Sequence, residues 1–271
     1  MKKNKYQEMY KCSLQKDKID ERDFLFQSEI NIDNLPDEIN FINGMPEIWN
    51  QQNIGSCQSM AFNRIYSYFN KNKFKPSSLF LYYNVRDDSN QVDIDCGGSL
   101  RDTIKVANNL GVCSEETYPY ITNKFKEKPP IEAYVEALKN NEDKKFKYYR
   151  VTNSMQLYQA MSLGYIPYLG IIITDSFYSD KCMKTGEVPN PSSNELGGHG
   201  VVVSYAKLNK NPKGIFKNLQ SRGYFIFDNS WSSDVGDKGR FKISFEVLDK
   251  MLLDCWAVDI DIIQKLVGES N

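Results

Sequence analysis

The hydrophobic periodicity of this chain changes near residue 150, which limits it to folds in which a helical part precedes a β part. Between residues 45 and 150, Ala61, Ile65, Tyr68 and Phe69 recur at i, i+4, i+7 and i+8. Leu100, Ile104 and Ala107 repeat that spacing between a capping Ser99 and a terminating Gly111. A third helix is expected over 130–138, with Pro130 at its first position and Ile131, Tyr134, Val135 and Leu138 on one face. After a short helix at 154–163, the runs YIPYLGIIIT, GHGVVVSYAKL, GYFIFDNSW and GRFKISFEV are rich in β-branched and aromatic residues and separated by turn-forming stretches such as NKNPKG. The order predicts an α+β protein with a helical lobe at 45–150, an antiparallel β lobe at 151–271 and a cleft between them. Residues 1–44 are polar and read as an extended arm laid over a domain.

Composition narrows the partners. Among 271 residues, 34 Lys and Arg face 35 Asp and Glu, a formal charge of −1, so there is no electrostatic case for nucleic acid or an anionic membrane. No apolar run approaches the roughly 18 residues of a membrane helix, and the basic start has no apolar stretch behind it to form a secretory signal. Cys12, Cys57, Cys96, Cys113, Cys182 and Cys255 form no CxxC pair, which argues against structural zinc. Their default role is as reduced, buried, small hydrophobes, in keeping with a reducing compartment such as the cytoplasm. No metal or organic cofactor is expected.

Chemistry enters at QQNIGSCQSMAF, where Gly55 and Ser56 precede a helix and place Cys57 in its first turn. Unpaired N–H groups and the helix dipole favour a thiolate there. A thiol attacking an amide needs a base that also protonates the leaving amine, and the chain has one histidine, His199, at a glycine-flanked strand start. Asn229 ends an apolar strand before Ser230 and Trp231, so its amide can accept from an imidazole under the shield of the indole. Singly, these residues have bland readings as a packed thiol, a hydrogen-bonded core histidine and a turn asparagine. Their order along the chain carries the chemical reading.

GSC at a helix start, GGHGVVV and DNSW resemble the three active-site blocks of papain-like cysteine peptidases. His199 follows Cys57 by 142 positions and Asn229 follows it by 172, an order and scale in keeping with that family. The resemblance spans most of residues 45–261 and implies a two-lobed fold. It also implies a peptide or protein substrate, an oxyanion-hole role for Gln51, a backbone clamp at Gly97 and Gly98, and a second wall at Gly198. Trp231 stands with the binding residues. The second subsite residue falls by rough alignment among Asp259, Ile260 and Asp261, with Ile260 and an apolar preference expected. DERDF and YYRV resemble a bacterial and viral branch, and a chain rich in Asn and Lys fits the AT-rich genome of a large DNA virus, with a virion location then open. Gln58 replaces the usual Trp after the nucleophile, and Ser232, Val235 and Arg240 replace Gly, Trp and Tyr in the last block. Ile54 stands where the family has a disulfide cysteine.

The resemblance implies a cysteine endopeptidase. Cathepsin B-type exopeptidases grip the terminal carboxylate with two histidines, and only Lys181 or Lys184 stands near in this chain to replace them. The same catalytic order also serves thiol acyl transfer or deconjugation, and a peptidase-like binding protein would keep the fold. Residues 1–44 are too short, and lack the apolar stripe, for the helical inhibitory propeptide domain of the family. They are expected to stay packed on the core or to act as a regulatory strap.

Overall fold

Cap chemistry sets the helices that carry the helical lobe. Ser99 accepts from the Asp102 N–H to open one helix and Gly111 closes it at a φ of 73°. The computed structural model describes residues 5–210 and 222–262. The helices are α1 (Lys5–Met9), α2 (Cys57–Phe69), α3 (Ser78–Asp88), α4 (Leu100–Leu110), α5 (Ile131–Asn140), α6 (Ser154–Ser162), α7 (Asp180–Thr185) and α8 (Phe245–Met251). The strands are β1 (Glu38–Asn40), β2 (Lys144–Arg150), β3 (Ile166–Thr174), β4 (Glu195–Leu208), β5 (Gly223–Asp228), β6 (Arg240–Ser244) and β7 (Leu252–Ile262). They form one antiparallel sheet in the order β2-β7-β3-β4-β5-β6, with β1 added alongside β4.

The central strands are buried on both faces, so their sequences read as continuous apolar runs. Tyr168 and Val202 turn toward α2, α3 and α4, in a core shared with Phe62, Phe80 and Leu100. Leu169, Val201 and Val203 turn the other way, onto Tyr158 of α6 and Leu248 of α8. Two cores thus flank the sheet, in the α+β, two-lobed arrangement the periodicity implied.

Several elements depart from the sequence reading. Strand β2 lies inside the stretch assigned to the helical lobe and pairs with β7, because its alternation of Lys, Phe and Tyr suits a sheet edge that is partly exposed. Helix α3 carries no amphipathic stripe to betray it, since Ser78 through Arg86 are all buried. Helix α5 forms, but with Pro130 as N-cap and Ala133 and Ala137 as its buried residues. Ile131, Val135 and Leu138 are exposed; the small alanines let the helix backbone approach the lobe closely, and that packing overrides the apolar periodicity.

Candidate active site

The turn before α2 brings Cys57 to the first helical position, fully buried. His199 is carried by β4, and the next residue, Gly200, abuts the start of α2: a Cβ added there would lie 3.2 Å from the Gln58 nitrogen. Asn229 follows the end of β5, and its Oδ1 accepts from His199 Nε2 at 2.7 Å, in the assigned tautomer, and from the Ser230 N–H at 2.7 Å. His199 Nδ1 has no protein hydrogen-bond partner. The Trp231 ring covers the imidazole at 4.6 Å between centroids.

Gln51 is held from three sides. Its N–H donates to the Ser230 carbonyl at 2.8 Å, its own carbonyl accepts from Tyr120 Oη at 2.8 Å, and its Oε1 accepts from Ser230 Oγ at 2.6 Å. This fixes the amide so that Nε2 donates to the Lys11 and Ile54 carbonyls, each at 3.0 Å. Ser230 is a site residue the sequence reading passed over; its place between Asn229 and Trp231 was the available signal.

The N-terminal segment runs through this cleft. Leu14 N–H donates to the Gly198 carbonyl at 2.9 Å, and Gln15 N–H donates to the Gly98 carbonyl at 3.0 Å. Gly97 has a φ of 77°, and a Cβ there would sit 1.8 Å from the Ser13 carbonyl oxygen, so only glycine admits the segment this closely. Leu14 is buried, with its side chain over Gly170 and beside Leu100, while Leu253 lies against Gly198. Tyr10 stacks on Trp231 at 5.1 Å, and Tyr178 stacks on the same indole at 5.5 Å.

Beyond the cleft the segment is clasped by charge. Asp17 N–H donates to Asp254 Oδ2 at 2.8 Å, and the Asp17 carboxylate accepts from Arg101 N–H at 3.0 Å and Trp256 Nε1 at 2.7 Å. Asp23, in the DERDF element, pairs with Arg101 at 2.8 Å and Arg150 at 3.0 Å.

Burial under the segment sets the protonation states. The Cys57 thiol is pushed up to about 11 by burial, partly offset by the N–H groups of Gly200, Gln58 and Ser13. Burial also pushes His199 down to about 4, against the stabilising bond to Asn229. With the segment seated, both groups are neutral near pH 7.

Ile260 is not brought to this cleft. It pairs with Phe146 across β7 and β2 and packs on the helical core. The β7 residue at the cleft is Leu253, seven positions earlier and about 23 Å away along a strand. Rough spacing misplaced the position because α8 and the start of β7 were not distinguished in the sequence.

Papain family cysteine protease sequences match residues 35–253 as a family. This chain belongs to the papain family of cysteine proteases. The protease is 34% identical over 226 residues to the uncharacterized peptidase C1-like protein L477 of Acanthamoeba polyphaga mimivirus, covering 77% of this chain and 68% of that protein. Its fold is similar to that of xylellain, a cysteine protease from Xylella fastidiosa, with a TM-score of 0.77, 25% identity, and 92% and 95% of the two chains covered. Digestive procathepsin L 3 of Tenebrio molitor shares the fold at a TM-score of 0.63 and 16% identity, over 87% and 73% of the chains. One of the first two relatives is viral and the other bacterial, the groups to which DERDF and YYRV pointed. As a member of this family the protein is a hydrolase acting on peptide or protein substrates. Among the described residues no helix is long and apolar enough to cross a membrane.

Proposed function

We propose that this protease is a cysteine endopeptidase whose cleft is kept latent by residues 10–17 acting as a strap. The observation that carries the reading is the pairing of an extended peptide backbone with Gln51 Nε2 and with the Gly98 and Gly198 carbonyls. These are the groups a substrate backbone would use. At the sulfur the strap presents the Ser13 N–H, a hydrogen-bond donor rather than an electrophilic carbonyl carbon, so the strap is bound without being cut.

Once the strap leaves, the Cys57 thiolate attacks the scissile carbonyl carbon while Gln51 Nε2 and the Cys57 N–H take the oxyanion. His199 gives its proton to the leaving amine, which departs as the C–N bond breaks. Water, deprotonated by His199, then releases the acyl group and restores the thiol. Asn229 holds the imidazole in plane. Leu14 shows the chemistry of the adjoining subsite: with Gly170, Leu100 and Leu253 as walls, it suits an apolar side chain. On the leaving-group side, Trp231 and Tyr178 form the aromatic slot that Tyr10 fills.

Mass spectrometry of products from peptides with free and amidated C-termini tests the endopeptidase reading. Internal cuts after the residue that follows leucine or a similar apolar side chain, in both sets, are expected. Stepwise loss of dipeptides from the free forms alone would overturn it.

Opening of the strap should be insensitive to pH near neutrality. Closed, burial holds Cys57 as a thiol, raised to about 11, and His199 as a neutral imidazole, lowered to about 4. Open, the two groups keep that one proton but carry it on the imidazole of a thiolate–imidazolium pair, so opening takes up and releases no net proton. Hydrogen exchange of the Leu14 and Gln15 amides, corrected for the pH dependence of intrinsic exchange, is expected to give a flat opening constant from pH 7.5 to 5.5. An acid rise that disappears in His199→Ala would show a proton taken up on opening and contradict the ion pair.

A further inference from the structure

Arg64 lies two turns after Cys57 on α2 and is almost fully buried, at 1% exposure. Its guanidinium ties two other segments, residues 46–47 and Asp228, to its own helix. Nη1 donates to the Glu47 carbonyl, Nη2 donates to the Pro46 carbonyl at 2.9 Å, and Nη2 also pairs with the Asp228 carboxylate. Asp228 is itself buried and accepts from Arg240 Nε at 2.8 Å and Ser204 Oγ at 2.9 Å. Each segment held by Arg64 leads within a few residues to a group of the active site. Residues 46–47 run through Trp49 into Gln51, whose N–H is bonded to Ser230. Asp228 directly precedes Asn229, and α2 begins with Cys57.

We propose that Arg64 and Asp228 are positioning residues that align Cys57, Gln51 and the Asn229–His199 pair with one another. This rests on the peptidase reading of the site. A buried ion pair is in itself a weak stabiliser, and well-packed apolar residues often replace one without loss. Apolar residues cannot hold two carbonyls and a carboxylate in one plane, which the guanidinium fork does. Misplacing reacting groups by about 1 Å costs on the order of 100-fold in rate, so the pair acts on turnover through the geometry of the site.

The test uses the 271-residue chain carrying Leu14→Asp, which is expected to free the cleft. Arg64→Lys keeps a charge for Asp228 but loses the fork to residues 46 and 47. It is expected to lower kcat ~10- to 100-fold with KM within about threefold. The double variant Arg64→Met/Asp228→Leu removes both charges and guards against misfolding from an unpaired one. It is expected to melt near the parent temperature and still show the fall in kcat. A double variant that melts normally and keeps kcat within twofold would overturn the proposal. If the double variant does not fold, Arg240→Met, which removes only the outer partner of Asp228, decides between the same outcomes: a fall in kcat without a change in KM, or no change. The rate of Cys57 alkylation as a function of pH is measured alongside. A shifted profile in Arg64→Lys marks altered alignment of Cys57 and His199, whereas a merely structural role leaves it unmoved. Absence of hydrolysis in the parent would instead count against the peptidase reading, and the alkylation profile would still report on the positioning role.

Discussion

Leu14→Asp in the 271-residue chain is expected to raise peptide hydrolysis about 100-fold. Leu14 sits buried over Gly170 and beside Leu100, and its N–H is bonded to Gly198. Burying a leucine contributes roughly 1.5–3 kcal/mol, and an aspartate in its place must either lose its hydration or leave the pocket. A change of about 3 kcal/mol in the closing equilibrium corresponds to about two orders of magnitude in the open population. The clasp at Asp17 and Asp23 lies outside the pocket, so the segment should stay attached while its cleft-spanning part lifts away. Initial rates on an apolar fluorogenic peptide, compared at equal concentration of folded protein, measure the effect. A rate equal to that of the unmodified chain would show that the strap does not limit access.

In that opened background, Cys57→Ala and His199→Ala should each lower kcat by about four to six orders of magnitude. In the proposed mechanism the thiolate and imidazolium act as one unit, and this chain has no second histidine to take over. Asn229→Ala should be milder and keep measurable activity. The asparagine orients the ring through one 2.7 Å bond while Trp231 still covers it. Burst-corrected kcat values for the three variants check the ranking. Full activity in His199→Ala would contradict the assigned acid/base.

The residues proposed to carry the chemistry were legible because each depends on local backbone geometry written in neighbouring residues. Cys57 was placed by the GS turn and the helix behind it, His199 by the glycines that open β4, and Asn229 by the end of an apolar strand. The structure brings His199 and Asn229 into direct contact and sets Gln51 against Ser230. What the sequence hid has a common cause: these features depend on tertiary contacts between distant segments. The polar N-terminal arm carries no periodicity, yet Leu14 and Asp17 become buried by docking against Gly198 and Trp256. The subsite wall at Leu253 depends on how α8 hands over to β7, and Ile260 was chosen from a spacing that ignored that turn. Helix α5 buries alanines rather than its larger apolar residues, since close backbone approach decided its orientation. Nothing in the residues around Arg64 marks its role, and only the approach of Asp228 at the end of β5 gives it a buried partner.

The most direct test is the site and rate of labelling by a peptidyl chloromethyl ketone with leucine in its second position, followed by peptide mapping. A single adduct on Cys57 is expected, formed about 100-fold faster in Leu14→Asp than in the unmodified chain and absent in Cys57→Ala. An adduct on any of the other five cysteines in place of Cys57, or equal labelling rates with and without Leu14, would contradict a strap-covered cysteine peptidase.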